Sequence, residues 1–380
     1  MIKIIKNANI ITKTEILKNK ILIFNDKIID ILDEEKIIKY NDALIIDAKN
    51  NYVSAGFIDI HIHGIKGNDV MDDSIESLEK IRKDIVSTGV TSFLATTLTA
   101  SKEKLDNVLK NIENLKGKVT GGAEILGCHL EGPFINSKYK GAQNEKYIQT
   151  PDIEFIKKYK DVIKKITLAP ELEGSLDFIK ECKEIGIITS LGHTEATYEQ
   201  AIEAINHGAS QITHTFNAMT SLHHRKPGLI GAALENDEVT CEIIIDNIHL
   251  HPAIQRIILK TKPIDKIILI TDAMRACMMK DGMYDLGGLE VDVKNNKATL
   301  KDGTIAGSVL TMNTALKNFY ENTKLSLPKL ISLVTVNPAK DLKLNNKGEI
   351  RSNYDADLVI FDKNFKIIKT LVRGEEVIWR

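Results

Sequence analysis

Gly56-Phe57-Ile58-Asp59-Ile60-His61-Ile62-His63-Gly64 is the stretch on which the reading of this chain turns. It reads as a buried β-strand that ends in two histidines one residue apart. A strand repeats its side-chain direction every second residue, so His61 and His63 point the same way with Cα atoms roughly 6.5 Å apart. Both imidazoles can then converge on one metal ion. A His-x-His pair says little alone, because imidazoles also sit in cores as hydrogen-bonded groups. Its weight depends on whether other ligand-type side chains end other strands.

Outward from this segment, apolar runs of strand length recur at 91–97, 125–131, 166–170, 187–191, 211–214, 242–246 and 266–271. Helical patterns at 74–88, 101–115, 175–185, 197–206, 251–259 and 311–322 lie between or after them. With 56–63 this makes eight strands with interposed helices, which predicts an α/β fold, a (β/α)8 barrel. An open sheet shares the same strand count. No Gly-x-Gly-x-x-Gly or P-loop pattern opens a helix, which counts against a nucleotide cofactor.

The two ends differ from the middle. Short strands are predicted at 2–5, 9–12, 21–25, 27–32 and 43–47, with Asp26-Lys27 at a hairpin turn, and again at 357–362, 365–370 and 376–379. The expectation is a small discontinuous β-sandwich from 1–53 plus 340–380, and a barrel over 54–339.

Hydrophobic residues at 43% and charged residues at 27% are those of an ordinary globular chain with ample core-forming material. A net charge of −1 gives no general pull toward nucleic acid or anionic membrane. No apolar run approaches a membrane span and no secretory signal is evident. Cys128, Cys182, Cys241 and Cys277 are scattered, which suggests reduced thiols and a cytoplasmic location.

In a barrel of this kind the active site lies at the C-terminal strand ends. There the chain offers His61 and His63 (first strand), Glu131 (third), His193 (fifth), His214 (sixth) and Asp272 (eighth). Four imidazoles and two carboxylates suit a divalent transition metal such as zinc, iron or manganese. Singly, Glu131 could cap a turn and Asp272 a helix. Six such side chains ending five separate apolar runs make coincidence a poor account.

His61-Ile62-His63, Glu131-Gly132-Pro133, Leu191-Gly192-His193-Thr194, Thr213-His214 and Thr271-Asp272-Ala273 together resemble the amidohydrolase superfamily. Finer motifs resemble its N-acetylglucosamine-6-phosphate deacetylase family. They are His129-Leu130-Glu131-Gly132-Pro133-Phe134, Phe216-Asn217-Ala218-Met219, His223-His224-Arg225-Lys226-Pro227-Gly228, Ile270-Thr271-Asp272-Ala273-Met274, Asp285-Leu286-Gly287-Gly288 and Ala306-Gly307-Ser308. Asp355-Ala356-Asp357-Leu358-Val359 matches the terminal β-domain. Ala55 stands where the family commonly has proline.

The resemblance implies a TIM-like barrel of the amidohydrolase type that hydrolyses the acetamide of an amino-sugar phosphate. The substrate is N-acetyl-D-glucosamine 6-phosphate, or alternatively its galactosamine counterpart or another N-acyl amino-sugar phosphate. It implies that Glu131, His193 and His214 hold the principal metal, that His61 and His63 are available for a second, and that Glu131 bridges. The fourth strand carries no lysine at its end to do so. Asp272 is implied as ligand and as general base and acid. Asn217, Ala218, Arg225 and His249 are implied to contact the sugar phosphate, with Arg225 reaching the neighbouring subunit of a homodimer. His129, on the strand face of Glu131, is a candidate supporting partner.

Overall fold

The computed structural model describes residues 1–40 and 42–379. Strands rich in Ile, Val and Leu on both faces can be satisfied only when both faces are covered, which parallel βα units do. Eight such strands form one sheet: Phe57–Ile62, Val90–Thr96, Glu124–Glu131, Ile163–Leu168, Ile188–Leu191, Gln211–Ile212, Thr240–Ile244 and Ile267–Ile270, each beside its sequence neighbour. All seven adjacent pairings are parallel. The sheet also closes. Ile62 bridges Ala273 in parallel, and the Asp272 N–H donates to His61 O at 2.9 Å. The barrel is therefore closed, which strand counting alone left open.

The covering helices follow from their sequences. Lys102–Leu115 buries Leu105, Val108, Leu109, Ile112 and Leu115, a stripe at three- and four-residue spacing. The Ser101 hydroxyl accepts from the Lys104 N–H at 3.3 Å and satisfies one free donor of its first turn. Tyr198–His207 begins with a reciprocal cap in which Thr197 and Gln200 each accept from the other's N–H.

Three barrel strands differ from the sequence expectation by more than one residue at an end, each for a local reason. The fourth strand starts at Ile163, because Lys165 turns inward to a buried partner instead of out to solvent. The sixth stops at Ile212, since His214 takes a left-handed φ of 29°. The seventh runs Thr240–Ile244, and Asp246 instead caps the following turn by accepting from the Ile248 and His249 N–H groups. An antiparallel sheet of Gly282–Leu286, Leu289–Lys294 and Lys297–Thr299 was not anticipated. Gly287 and Gly288 turn its first hairpin with φ of 60° and 85°, the positive values a two-residue type I′ loop needs.

The segments toward the two chain ends build two further sheets. One has Ile28–Asp33, Lys20–Phe24, Lys3–Lys6 and Leu44–Asp47 in that order. The other has Glu375–Glu376, Ile367–Val372, Leu358–Phe361, Tyr52–Ala55, Asn9–Ile11 and Ile16–Leu17, so segments from both ends of the sequence share it. One apolar cluster, including Ile5, Leu22, Phe24, Val53, Leu358 and Leu371, joins them. No helix among the described residues is long and apolar enough to cross a membrane.

Candidate active site

The six side chains singled out at strand ends meet at one mouth of the barrel. His61 and His63 do share a direction, with ring centroids 5.3 Å apart. Glu131 is their common neighbour. Its Oε1 lies 3.3 Å from His61 Nε2, 3.4 Å from His193 Nε2 and 3.2 Å from His214 Nε2, and its Oε2 lies 3.3 Å from His63 Nε2. Asp272 Oδ1 lies 3.4 Å from His61 Nε2 and 3.1 Å from His63 Nε2. The donors fall into two groups able to hold an ion, His61–His63–Glu131 and Glu131–His193–His214, which share the glutamate.

Local chain geometry aims these groups. His193, His214 and Asp272 have φ of 50°, 29° and 50°, left-handed values that turn the chain sharply just past each strand. Such a conformation costs about 1 kcal/mol or more for a residue with a Cβ and persists where the surroundings impose it. Gly192 lets the fifth strand pass close to its neighbours, for a Cβ there would stand 2.8 Å from Thr213 Cβ.

The second ring nitrogens report the tautomers. His63 Nδ1 is 3.2 Å from Thr96 O, and His193 Nδ1 is 2.9 Å from Tyr139 O. A carbonyl only accepts, so the proton sits on Nδ1 and the Nε2 lone pair faces the cluster. His61 Nε2 is buried with no hydrogen-bond partner, and the Nε2 atoms of His193 and His214 stand 3.0 Å apart. Lone pairs crowded against two carboxylates suit a bound cation, and the donor set fits a divalent transition metal.

Electrostatics agree. Burial disfavours charge on His61, yet Glu131 and Asp272 overcome it and push the imidazole up to about 9. Burial likewise opposes charge on Glu131, but His61 and the neighbouring imidazoles hold that carboxyl well below its usual range. The cluster's field favours positive charge.

A cavity of about 460 Å³ opens over these groups, lined among others by Asn217, Ala218, His249, Lys138, Lys140 and Leu286. His249 is mostly buried, and its Nδ1 pairs with Asp246 Oδ2 at 2.7 Å. Burial works against its charge, but the bond to Asp246 raises its pKa above that of a free imidazole and so favours the charged form, which suits an anion. Asn217 Nδ2 donates to His214 O at 3.1 Å, which ties its loop to the histidine cluster. Arg225 is not in this cavity. It is exposed beside His224, with Nη1 2.7 Å from His224 Nε2, and lines a separate surface hollow with Tyr139, Tyr198 and Pro227.

Sequence reasoning missed several neighbours. Gln143 Nε2 donates to Glu131 Oε2 at 3.0 Å while its Oε1 accepts from the Thr99 N–H, so it orients the shared carboxylate. Glu242 Oε2 lies 3.4 Å from His61 Nδ1, and Lys165 donates to its other oxygen. Charged residues within apolar runs were a legible signal for that pair; Gln143 carried none. His129 packs its ring edge on His61 at 4.5 Å and bonds Thr167 Oγ1 at 2.7 Å. Burial and Lys165 keep it neutral.

Comparison with known proteins extends this geometry. N-acetylglucosamine-6-phosphate deacetylase of Bacillus subtilis (strain 168) is 39% identical over 379 residues, covering 98% of this chain and 96% of the relative. The crystal structure of N-acetylglucosamine-6-phosphate deacetylase from Pasteurella multocida superposes with a TM-score of 0.94 at 32% identity, covering 99% of each chain. A mutant of the deacetylase from Mycobacterium smegmatis, in complex with N-acetyl-D-glucosamine-6-phosphate, gives 0.91 at 30% identity over the full length of both. Residues 52–377, which include the whole barrel and the later strands of the terminal sheet, match the Amidohydrolase family. This chain belongs to the Amidohydrolase family.

Proposed function

We propose that this chain hydrolyses the acetamide of N-acetyl-D-glucosamine 6-phosphate to D-glucosamine 6-phosphate and acetate. The observation that carries the reading is four imidazoles around Glu131, with Asp272 beside them and the paired His249 in the wall of one cavity. Full-length similarity to deacetylases of this substrate supports it. Glu131, His193 and His214 would hold one divalent ion and His61, His63 and Glu131 a second, with Asp272 as a further ligand. Zinc, iron and manganese all suit the donors. Such an ion, when bound, lowers the pKa of water and polarises a carbonyl oxygen.

The protein's own residues supply the rest. Asp272 takes a proton from the attacking water and delivers it to the departing nitrogen, so water adds across the C–N bond and no other reactant is needed. His249 holds the phosphate by charge, Asn217 and Ala218 fix the sugar phosphate through side-chain and backbone groups, and Gln143 keeps Glu131 in place. Arg225, exposed outside its own cavity, serves the cavity of the neighbouring copy in a homodimer; its hollow shares Tyr139 with the active-site cavity. On this reading 54–339 is the catalytic barrel and 1–53 with 340–380 the β-sandwich. The ligand is a small molecule and not nucleic acid or membrane. The location is cytoplasmic, in keeping with four buried cysteines in the thiol form.

The test is acetate release by metal-loaded and chelator-treated protein, with both the gluco and galacto substrates. Release from the gluco compound, lost on chelation, is expected. No release when metal-loaded sinks the proposal, and a higher kcat/KM for the galacto epimer reassigns the substrate.

A further inference from the structure

Within the barrel, beside the histidine cluster, lies a pair of opposite charges that the reaction above leaves unused. Lys165 on the fourth strand and Glu242 on the seventh both have fully buried side chains, and Lys165 Nζ donates to Glu242 Oε1. Taking two ions out of water costs several kcal/mol each, and apolar residues of the same volume are commonly as stable. Stability alone does not account for the pair.

Its other contact does. Glu242 Oε2 lies 3.4 Å from His61 Nδ1. Lys165 occupies one carboxylate oxygen and leaves the second for the imidazole, and a carboxylate only accepts. His61 therefore carries its proton on Nδ1, and its Nε2 lone pair faces Glu131 Oε1 at 3.3 Å and Asp272 Oδ1 at 3.4 Å. His63 and His193 have the same tautomer fixed by backbone carbonyls. For His61 the acceptor is a side chain, so the sequence must supply it and hold it still.

We infer that Lys165 and Glu242 form a positioning pair that sets the tautomer and orientation of His61, and thereby the ability of His61, His63 and Glu131 to hold an ion of their own. The inference rests on the reading of the cluster as a metal centre. Glu242 is a positioning residue, since it acts through His61.

Zinc titration of the metal-stripped protein against a chromophoric chelator tests this. The wild type is expected to take up two equivalents. Lys165→Met/Glu242→Leu removes the acceptor without stranding a buried lysine. It should keep the first equivalent and bind the second about 10–100-fold more weakly. Lys165→Met/Glu242→Gln keeps an accepting oxygen and should regain the second. An unchanged second affinity in the leucine variant overturns the inference, as does equal weakening by leucine and glutamine, or a wild type that takes up only one ion. A wild type that binds no zinc removes the metal centre itself, a separate and recognisable failure. Nitrogen chemical shifts of the His61 ring in metal-free wild type, recorded well above pH 9 where the imidazole is neutral, give a readout that needs no variant. A proton on Nδ1 is expected, and a proton on Nε2 overturns the inference.

Discussion

Three of the side chains that meet in the cluster sit where the backbone is least relaxed. His193, His214 and Asp272 all turn left-handed just past their strands, which no strand pattern foretells. Their chemistry was still legible, because each ends an apolar run and His61 and His63 alternate. Gln143 was not, and of the Lys165–Glu242 pair only the misplaced charges were legible and not their role, since these roles depend on partners 12 and 77 positions away. Two predictions belong here. Asp272→Asn should lower kcat by about three orders of magnitude or more while the fold persists, as removal of a group that moves the proton does. Steady-state kinetics with circular dichroism checks it, and retained turnover would require another base. His249→Gln should raise KM for the phosphorylated substrate about 10–100-fold, the worth of a charge-assisted hydrogen bond. It should leave kcat nearly unchanged.

Element positions were read more securely than element ends. Every barrel strand lies where an apolar run was seen, but the sixth is two residues long, because its length is set by the turn at His214 and not by hydrophobicity. The Gly287-Gly288 turn and the strict apolar–polar alternation of Leu289–Lys294 made this hairpin legible, although its strands are short and face solvent in part. The helix Lys102–Leu115 offers a direct test of packing: Leu109→Ala should destabilise by about 2–5 kcal/mol in chemical denaturation. A different element is tuned by pH. Asp341 ends the helix Val336–Asp341 and accepts from Gln211 and from Thr240 Oγ1, the latter at 3.1 Å, the first residues of the sixth and seventh strands. Burial pushes its carboxyl up to about 6 from 3.8. The folded state thus keeps a proton that the unfolded chain has lost between about pH 4 and pH 6. Stability from this group is present below pH 4 and falls as pH rises through that window, by about 3 kcal/mol. Asp341→Asn should flatten that part of the pH–stability curve, and an unchanged slope would assign it elsewhere.

Across the whole molecule, the barrel and the outer sheets are fastened by buried charge. Lys347 Nζ lies 2.8 Å from Glu124, 3.3 Å from Asp355 and 2.6 Å from Asp357, which joins the start of the third barrel strand to the terminal segment. Lys347→Met should cost about 3–5 kcal/mol, because it strands carboxylates away from water. Thermal melting of both proteins measures it, and a loss below 1 kcal/mol would show that water reaches the site. The β-rich character of both ends was plain in the sequence. Their exact register was not, since it depends on pairing across most of the chain. Tyr52–Ala55 aligns antiparallel with Leu358–Phe361. A ribosome adding about 5–20 residues each second makes the second strand roughly 15–60 s after the first. During that wait the nascent polypeptide shows an open flank of unpaired amides, the kind of surface on which neighbouring nascent chains can stick. Safe manufacture of this enzyme in a cell therefore depends on whatever shields Tyr52–Ala55 until its late-arriving mate is translated.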